Sequence, residues 1–177
     1  MFGNIDWAML IGQALGIVAV ILGFITYQMR SQKALLIVNM ITCAVFCGHY
    51  LLIGAISGFA LNAVGFFRNI VYTNRDKKIF ASPVWPYVFG CIMFVAGILT
   101  WQDWRSVLMV CALTINSLAL SLKNPQHIRY SLLITCPLVL IYDLLLHSYG
   151  GMVYEGMSIV SALIGIVRFR KIGEETV

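Results

Sequence analysis

Apolar stretches of about 20 residues follow one another along almost the whole chain, separated by connections too short to fold on their own. A helix of that length spans the hydrocarbon of a bilayer and satisfies its own backbone groups, so each stretch reads as a membrane-crossing helix. Apolar runs and the breaks between them predict helices over residues 6–28, 34–53, 55–73, 83–101, 105–122, 128–147 and 150–169, in a single membrane domain covering 1–177. The breaks carry RSQK, TNRDKKIFASP, WQDW, KNPQH and a Gly150-Gly151 corner. Only 11% of the residues are charged, against about a quarter in soluble domains, too few to cover a water-facing surface. The lipid bilayer is therefore the first expected partner.

Seven spans place the breaks alternately on two sides. One side collects Arg30, Lys33, Arg75, Lys77, Lys78, Lys123, Arg129, Arg168, Arg170 and Lys171, with Arg68 a turn or two inside, and the other has only Arg105. Basic residues gather on the cytoplasmic side, which predicts an N-terminus out and a C-terminus in. Trp7, Trp101, Trp104 and Trp85 fall at predicted helix ends, where indoles prefer the headgroup level. The net charge of +5 is thereby explained by topology, and no nucleic-acid partner is expected. The opening MFGNIDW has no basic residue before the first apolar run, so the first segment is expected to stay as a helix. The five cysteines lie inside apolar stretches and read as small packing residues.

Sliding the chain by 93 positions aligns Thr26–Lys78 with Ala119–Lys171 without a gap. Both segments contain Ile-Thr-Cys, at 41–43 and 134–136, and Leu51, Leu52, Gly58, Arg75 and Lys78 recur as Leu144, Leu145, Gly151, Arg168 and Lys171. The plan is an all-α membrane fold: a first three-helix bundle over 6–73, a linker helix over 83–101 and a second bundle over 105–169. One intervening helix restores orientation, so the bundles are parallel and related by an axis along the membrane normal. In transporters built this way, the substrate site lies near mid-membrane between the halves.

On the third helix Gly58, Asn62, Gly65 and Asn69 form one stripe, and the shift carries them to Gly151, Glu155, Ser158 and Ala162 on the seventh. Small residues on such a stripe serve close packing, while Asn62 is equally suited to line a site. Glu155 is an ionisable group inside an apolar helix, which marks a cavity or a polar partner. Asn62, Asn69, Asn116, Glu155 and Ser158 are the candidate substrate-binding residues. Asp143 shares a face with His147 and is the repeat partner of Tyr50, beside His49; these residues could gate the cavity or sit at the interface. Arg68 has a stem long enough to snorkel to the headgroups, its expected role, with closure of the inner mouth or neutralisation of Glu155 as alternatives. Gly12, Gly16, Ala19 and Gly23 on the first helix read as a packing seam.

No hydrolase elbow, phosphate loop or zinc signature occurs, so neither enzymatic activity nor a cofactor is expected. The stretch HYLLIGAISGFALNAVGFFRN, the later YGGMVYEG and IVRFRK resemble the YgjV-type bacterial inner-membrane proteins. That family is grouped with the PQ-loop, SWEET and SemiSWEET transporters. The resemblance implies a SWEET-like pair of three-helix bundles in the bacterial inner membrane. In the sugar transporters an asparagine on the third helix of each bundle lines the substrate site. Asn62 stands at the first such position and Glu155 at the second, and Tyr27-Gln28 replaces the PQ dipeptide. The leading expectation is a transporter or facilitator of a small polar solute; the alternative is a non-transporting receptor or assembly partner. Association into a homo-oligomer is compatible with either.

Overall fold

Every apolar run folds as a helix. The computed structural model describes residues 7–52, 54, 56–101, 104–145 and 149–169. Among them the chain is all-helical, with α1 Trp7–Tyr27, α2 Gln32–Leu52, α3 Ile56–Thr73, α4 Trp85–Leu99, α5 Ser106–Ala119, α6 Pro125–Leu145 and α7 Tyr149–Arg168. Two helices begin earlier than apolar periodicity suggests, because polar caps extend them. The Ser31 hydroxyl accepts from the Ala34 amide at 3.2 Å ahead of α2. The Asn124 side chain accepts from the Gln126 amide at 2.9 Å, with Pro125 at the first position of α6, where a missing N–H costs nothing. Pro86 likewise sits in the first turn of α4. Gly54, between α2 and α3, adopts φ 75°, a conformation in which a side chain would be strained. Gly150 and Gly151 belong to the first turn of α7 instead of forming a corner.

By length and composition α1, α2, α6 and α7 are apolar enough to cross a membrane, and α4 and α5 are shorter apolar helices. The outer surface has the character of a lipid contact: Ile17, Phe67, Leu99, Ile134 and Val167 are all more than 60% exposed. Polar side chains lie inside, where Asn39, Thr42, Arg68, Asn69, Arg129, Asp143 and Glu155 are buried. This inversion suits a protein whose solvent offers no hydrogen bonds. Of the cysteines, Cys43 and Cys136 are buried as expected, whereas Cys91 and Cys111 face outward.

Each helix packs on the next in chain order, and α1 packs on α7, so the helices close into a ring with α4 set between α3 and α5. In each triplet the middle helix of the sequence, α2 or α6, contacts both companions. The small residues of α1 do form a seam. Gly12 offers its carbonyl to His49 Nδ1 at 2.7 Å, Gly16 lies against the same imidazole, and Gly23 makes room for the Tyr154 ring.

The two triplets are tied to each other at the end that carries the basic connections. From α6, Arg129 donates through Nε to the Tyr27 carbonyl at 3.0 Å and through Nη2 to the Met29 carbonyl at 2.7 Å, at the end of α1. From α2, Gln32 Nε2 donates to the Leu120 carbonyl at 3.2 Å and the Leu122 carbonyl at 2.6 Å, at the end of α5. The shift of 93 turns the first pair of carbonyls into the second. Equivalent helix ends, whose last carbonyls have no partner in their own helix, are thus each held by a side chain of the opposite triplet. Arg129, counted by sequence among the basic residues of the connections, is 1% exposed and acts as a structural clamp, with its guanidinium 4.8 Å from the centre of the Phe169 ring.

The two clamps differ in strength. Arg129→Met should lower unfolding free energy by about 2–4 kcal/mol, because charged hydrogen bonds are lost and buried carbonyls are stranded. Gln32→Ala, whose bond to Leu122 is at the surface, should cost about 1 kcal/mol or less. Denaturation in detergent micelles checks the order; equal losses would contradict it.

Candidate functional site

The ring encloses a cavity of ≈ 80 Å³ with residues from every helix in its wall. On that scale one water needs about 10–15 Å³, so there is room for about five to eight groups of water size. Drug-sized ligands occupy about 300–1,000 Å³, and the cavity as it stands suits a small solute.

Its walls are built by the repeat. On α2 and α6 the lining pairs are Asn39 with Leu132, Thr42 with Thr135, Cys43 with Cys136, Phe46 with Val139 and Tyr50 with Asp143. On α3 and α7 they are Leu61 with Tyr154 and Asn62 with Glu155. Members of each pair stand 93 positions apart. Two glycines seat one of these pairs. A side-chain carbon on Gly58 would run into the Tyr50 ring, and one on Gly151 into the Asp143 carboxylate, so the same glycine in each repeat admits a side chain that lines the cavity. The first helices break the symmetry: α5 contributes Met109, Ala112, Leu113 and Asn116, while α1 contributes only Tyr27. The Tyr154 ring, fitted against Gly23, takes the place on the α1 side that on the α5 side is open to Asn116.

Asn62 and Glu155 thus face one space, together with Asn116, Arg68, Tyr50 and Asp143. Both Asn62 and Glu155 lie six residues into their helices, about 9 Å from the end opposite the basic connections. Asn62 Nδ2 donates to the Gly58 carbonyl of its own helix at 2.9 Å, and Glu155 lies beside the Cys136 thiol and within electrostatic reach of Asp143. Phe46 and Tyr50 stack at 5.5 Å between ring centres, with Tyr154 edge-on to Phe46 at 4.7 Å, a cluster of aromatic rings on one wall.

Three candidates do not reach the cavity. Asn69 is fully buried and supports its wall: its Nδ2 donates to Asn39 Oδ1 at 2.7 Å, and its Oδ1 accepts from Arg68 Nε and Nη2, both at 3.3 Å. Ser158 is buried off the wall, and its hydroxyl has no hydrogen-bond partner among the described residues. His49 faces α1 through its bond to the Gly12 carbonyl, away from any gate. His147, expected to share a face with Asp143, lies outside the described residues.

Arg68 departs most from its expected role. It is 3% exposed, so it does not snorkel to the headgroups. Its side chain runs back along α3, as helical side chains tend to, and places Nη2 3.7 Å from where a Gly65 side chain would begin. Neutralisation by Glu155 is also not what the geometry gives. Among the described residues the one ion pair within 4.0 Å joins Lys33 to Asp76 at the surface.

Asn39, Thr42, Cys43, Thr135, Cys136 and Tyr154 were not singled out as lining residues from sequence. A signal existed for four of them, because the repeated Ile-Thr-Cys puts a threonine and a cysteine at the same two wall positions of each repeat. Thr135 Oγ1 and Asn116 Oδ1 are buried on this wall without a hydrogen-bond partner among the described residues, polar groups available to a solute.

Comparison with known proteins bears on most of the chain. Residues 10–172 match the model of a family described as bacterial inner membrane protein, Imp-YgjV. No curated protein and no solved structure matches.

Replacing Asn69 by Leu removes the acceptor of a buried guanidinium and the donor to Asn39. It should destabilise the protein by about 2–4 kcal/mol, whereas Asn62→Leu, which gives up one bond within its own helix, should cost about 1 kcal/mol or less. Thermal unfolding in detergent separates them, and a milder effect at Asn69 would remove its supporting role.

Proposed function

We propose that this chain, which belongs to the Imp-YgjV family of bacterial inner membrane proteins, binds a small polar solute in the central cavity and passes it across the membrane. The observation that carries the reading is the meeting of repeat-related Asn62 and Glu155 in one enclosed space. A polar cavity deep in a lipid-facing bundle is costly unless something polar occupies or crosses it. Parallel repeats on either side of the space supply two halves able to rock against each other. The internal repeat and the basic connections gathered at one end support a layout like that of the SWEET and PQ-loop transporters, with seven spans, the N-terminus outside and the C-terminus in the cytoplasm. The clamps made by Arg129 and Gln32 then lie on the cytoplasmic side.

Topology is tested by impermeant labelling of tags on the two chain ends in intact cells. Label at the N-terminus alone is expected, and reaction of both ends or neither would overturn the seven-span arrangement. Function is tested with purified protein in liposomes, measuring uptake of a panel of small neutral, cationic, anionic and zwitterionic solutes. At least one should enter faster than into empty vesicles. Glu155→Gln and Asn62→Leu should each slow that entry about tenfold, the effect of losing about 1.4 kcal/mol of interaction. No flux for any class, or flux indifferent to both substitutions, would refute the reading.

A further inference from the structure

At the basic end, the two sides of the ring treat an equivalent pair of charges differently. The shift of 93 relates Arg75 to Arg168 and Lys123 to Arg30. Where α7 packs directly on α1, the guanidiniums of Arg30 and Arg168 lie 5.8 and 5.3 Å from the centre of the Phe169 ring, and Phe169 is 4% exposed. On the other side α4 stands between α3 and α5. There the position of Phe169 is taken by Asp76, and Arg75 and Lys123 line a pocket of ≈ 770 Å³ with Ser82, Pro83 and Pro86.

This pocket is basic. Arg75 Nη1 donates to the Ser121 carbonyl at 2.6 Å, which holds the guanidinium against the connection that carries Lys123. That bond uses one of the donors of a guanidinium that has several. Lys123 has no ion pair within 4.0 Å among the described residues, and Asp76, the carboxylate on the wall, is matched by Lys33 at 3.5 Å. The Ser82 hydroxyl accepts from the Val84 amide at 3.3 Å and keeps its own hydrogen to donate.

An apolar groove continues from it. Tyr87, in the first turn of α4, and Leu118, near the end of α5, line both spaces. From them a groove of ≈ 360 Å³ runs between the two helices past Gly90, Cys91 and Thr114 to Phe94 and Val95, eight residues or about 12 Å along α4. Gly90 has no side chain to fill it. The groove lies on the outer surface, where Tyr87, Phe94 and Val95 are more than half exposed. Basic connections sit at headgroup level, and the groove leads from them toward the middle of the bilayer.

We propose that the joined spaces bind one anionic phospholipid, its phosphate on Arg75 and Lys123 and an acyl chain in the groove between α4 and α5. Basic pockets between membrane helices on the cytoplasmic side suit such headgroups. A soluble anion would use the pocket and leave the groove unused, and a zwitterionic headgroup would bring a cation of its own against the two already there. The lipid would join the connection after α3 to the one after α5, as the Phe169 ring lies between the equivalent pair on the other side. This site is separate from the central cavity, and it stands or falls independently of what that cavity carries.

The test uses full-length protein, purified and delipidated in detergent, with thermal unfolding followed as phospholipid is titrated into the micelles. Dioleoyl phosphatidylglycerol should stabilise the protein at a mole fraction at least about tenfold lower than dioleoyl phosphatidylcholine, and native mass spectrometry should show a single retained lipid. Glycerol 3-phosphate, an anionic head without chains, should have no effect. Arg75→Gln and Lys123→Gln should each weaken phosphatidylglycerol binding about five- to tenfold, the effect of one basic residue at an anionic headgroup. Lys123 is exposed, so its variant stays readable if loss of the bond from Arg75 to Ser121 unfolds the protein. Cys91→Trp, which blocks the groove from an exposed position, should weaken binding to a similar extent. Lys78→Gln, in the same connection as Arg75 but off the pocket, and Cys111→Trp, exposed on α5 but off the groove, should leave it unchanged. Equal stabilisation by the two phospholipids or by glycerol 3-phosphate would overturn the site, as would equal losses from Lys78→Gln, which would assign binding to the charge of the whole basic end. Self-association abolished by Cys91→Trp, without a lipid preference, would also overturn it and give the groove to a second copy of the chain.

Discussion

A surrounding lipid phase that can neither donate nor accept hydrogen bonds governs this molecule. Every polar group between the helix ends must find its partner inside, and the inversion of apolar outside and polar inside follows. The constraint also sorts the polar residues by what they do. Arg129 saturates its guanidinium on the carbonyls that end α1 and on Gln126, and so uses its charge to join the triplets. Arg68 is equally removed from the surface but shares one amide oxygen for two of its nitrogens. The same side chain is a clamp between helices in one place and a wall group held by a single amide in the other, and the difference lies in what the neighbouring backbone offers.

The helices were legible because their signal is strong. Seven long apolar runs punctuated by Gly, Pro and charge admit little else, and the boundaries differ by three residues or fewer, most at the polar start of α6 and the end of α5. The repeat in the sequence pairs Asn62 with Glu155, and both side chains line the one cavity. What periodicity could not supply was direction. In a soluble helix the polar face points to water, but in an apolar helix a stripe such as Gly58, Asn62, Gly65 and Asn69 shows which residues share a face without showing how far the cavity extends along it. Asn69 lies on the right face and below the cavity, where Arg68 and Asn39 draw it into the wall's support. The long stem of Arg68 permits either direction along the helix, and only the structure shows it running toward Gly65.

The repeat also shows how a two-sided site became polarised. Equivalent positions carry Thr42 and Thr135, Cys43 and Cys136, and at these the two walls are the same. They differ at Tyr50 and Asp143, at Asn62 and Glu155, and at Arg68 and Ser161, and each of these differences introduces a charge. Conserving the small polar pairs keeps a cavity that two similar halves can share. Placing the carboxylates on the second triplet and the guanidinium on the first gives it an axis. The glycines that seat Tyr50 and Asp143 are common to both repeats, so the room for the side chain is a property of the fold, while its charge is a property of the site.

The same logic explains why the ends of the ring are built differently. At the basic end the ties between triplets are directional hydrogen bonds from side chains to the last carbonyls of α1 and α5, two equivalent positions held by unlike residues. Nearer the other end, rings stack and interlock at Phe46, Tyr50 and Tyr154, contacts that tolerate sliding better than a hydrogen bond tolerates lengthening. Separating the helices at the basic end would stretch Arg129 and Gln32 off their carbonyls, whereas among the described residues near the other end it would shift the rings of Phe46, Tyr50 and Tyr154. The two ends are therefore held by contacts of unequal stiffness, although the helices that frame them carry the same repeated sequence.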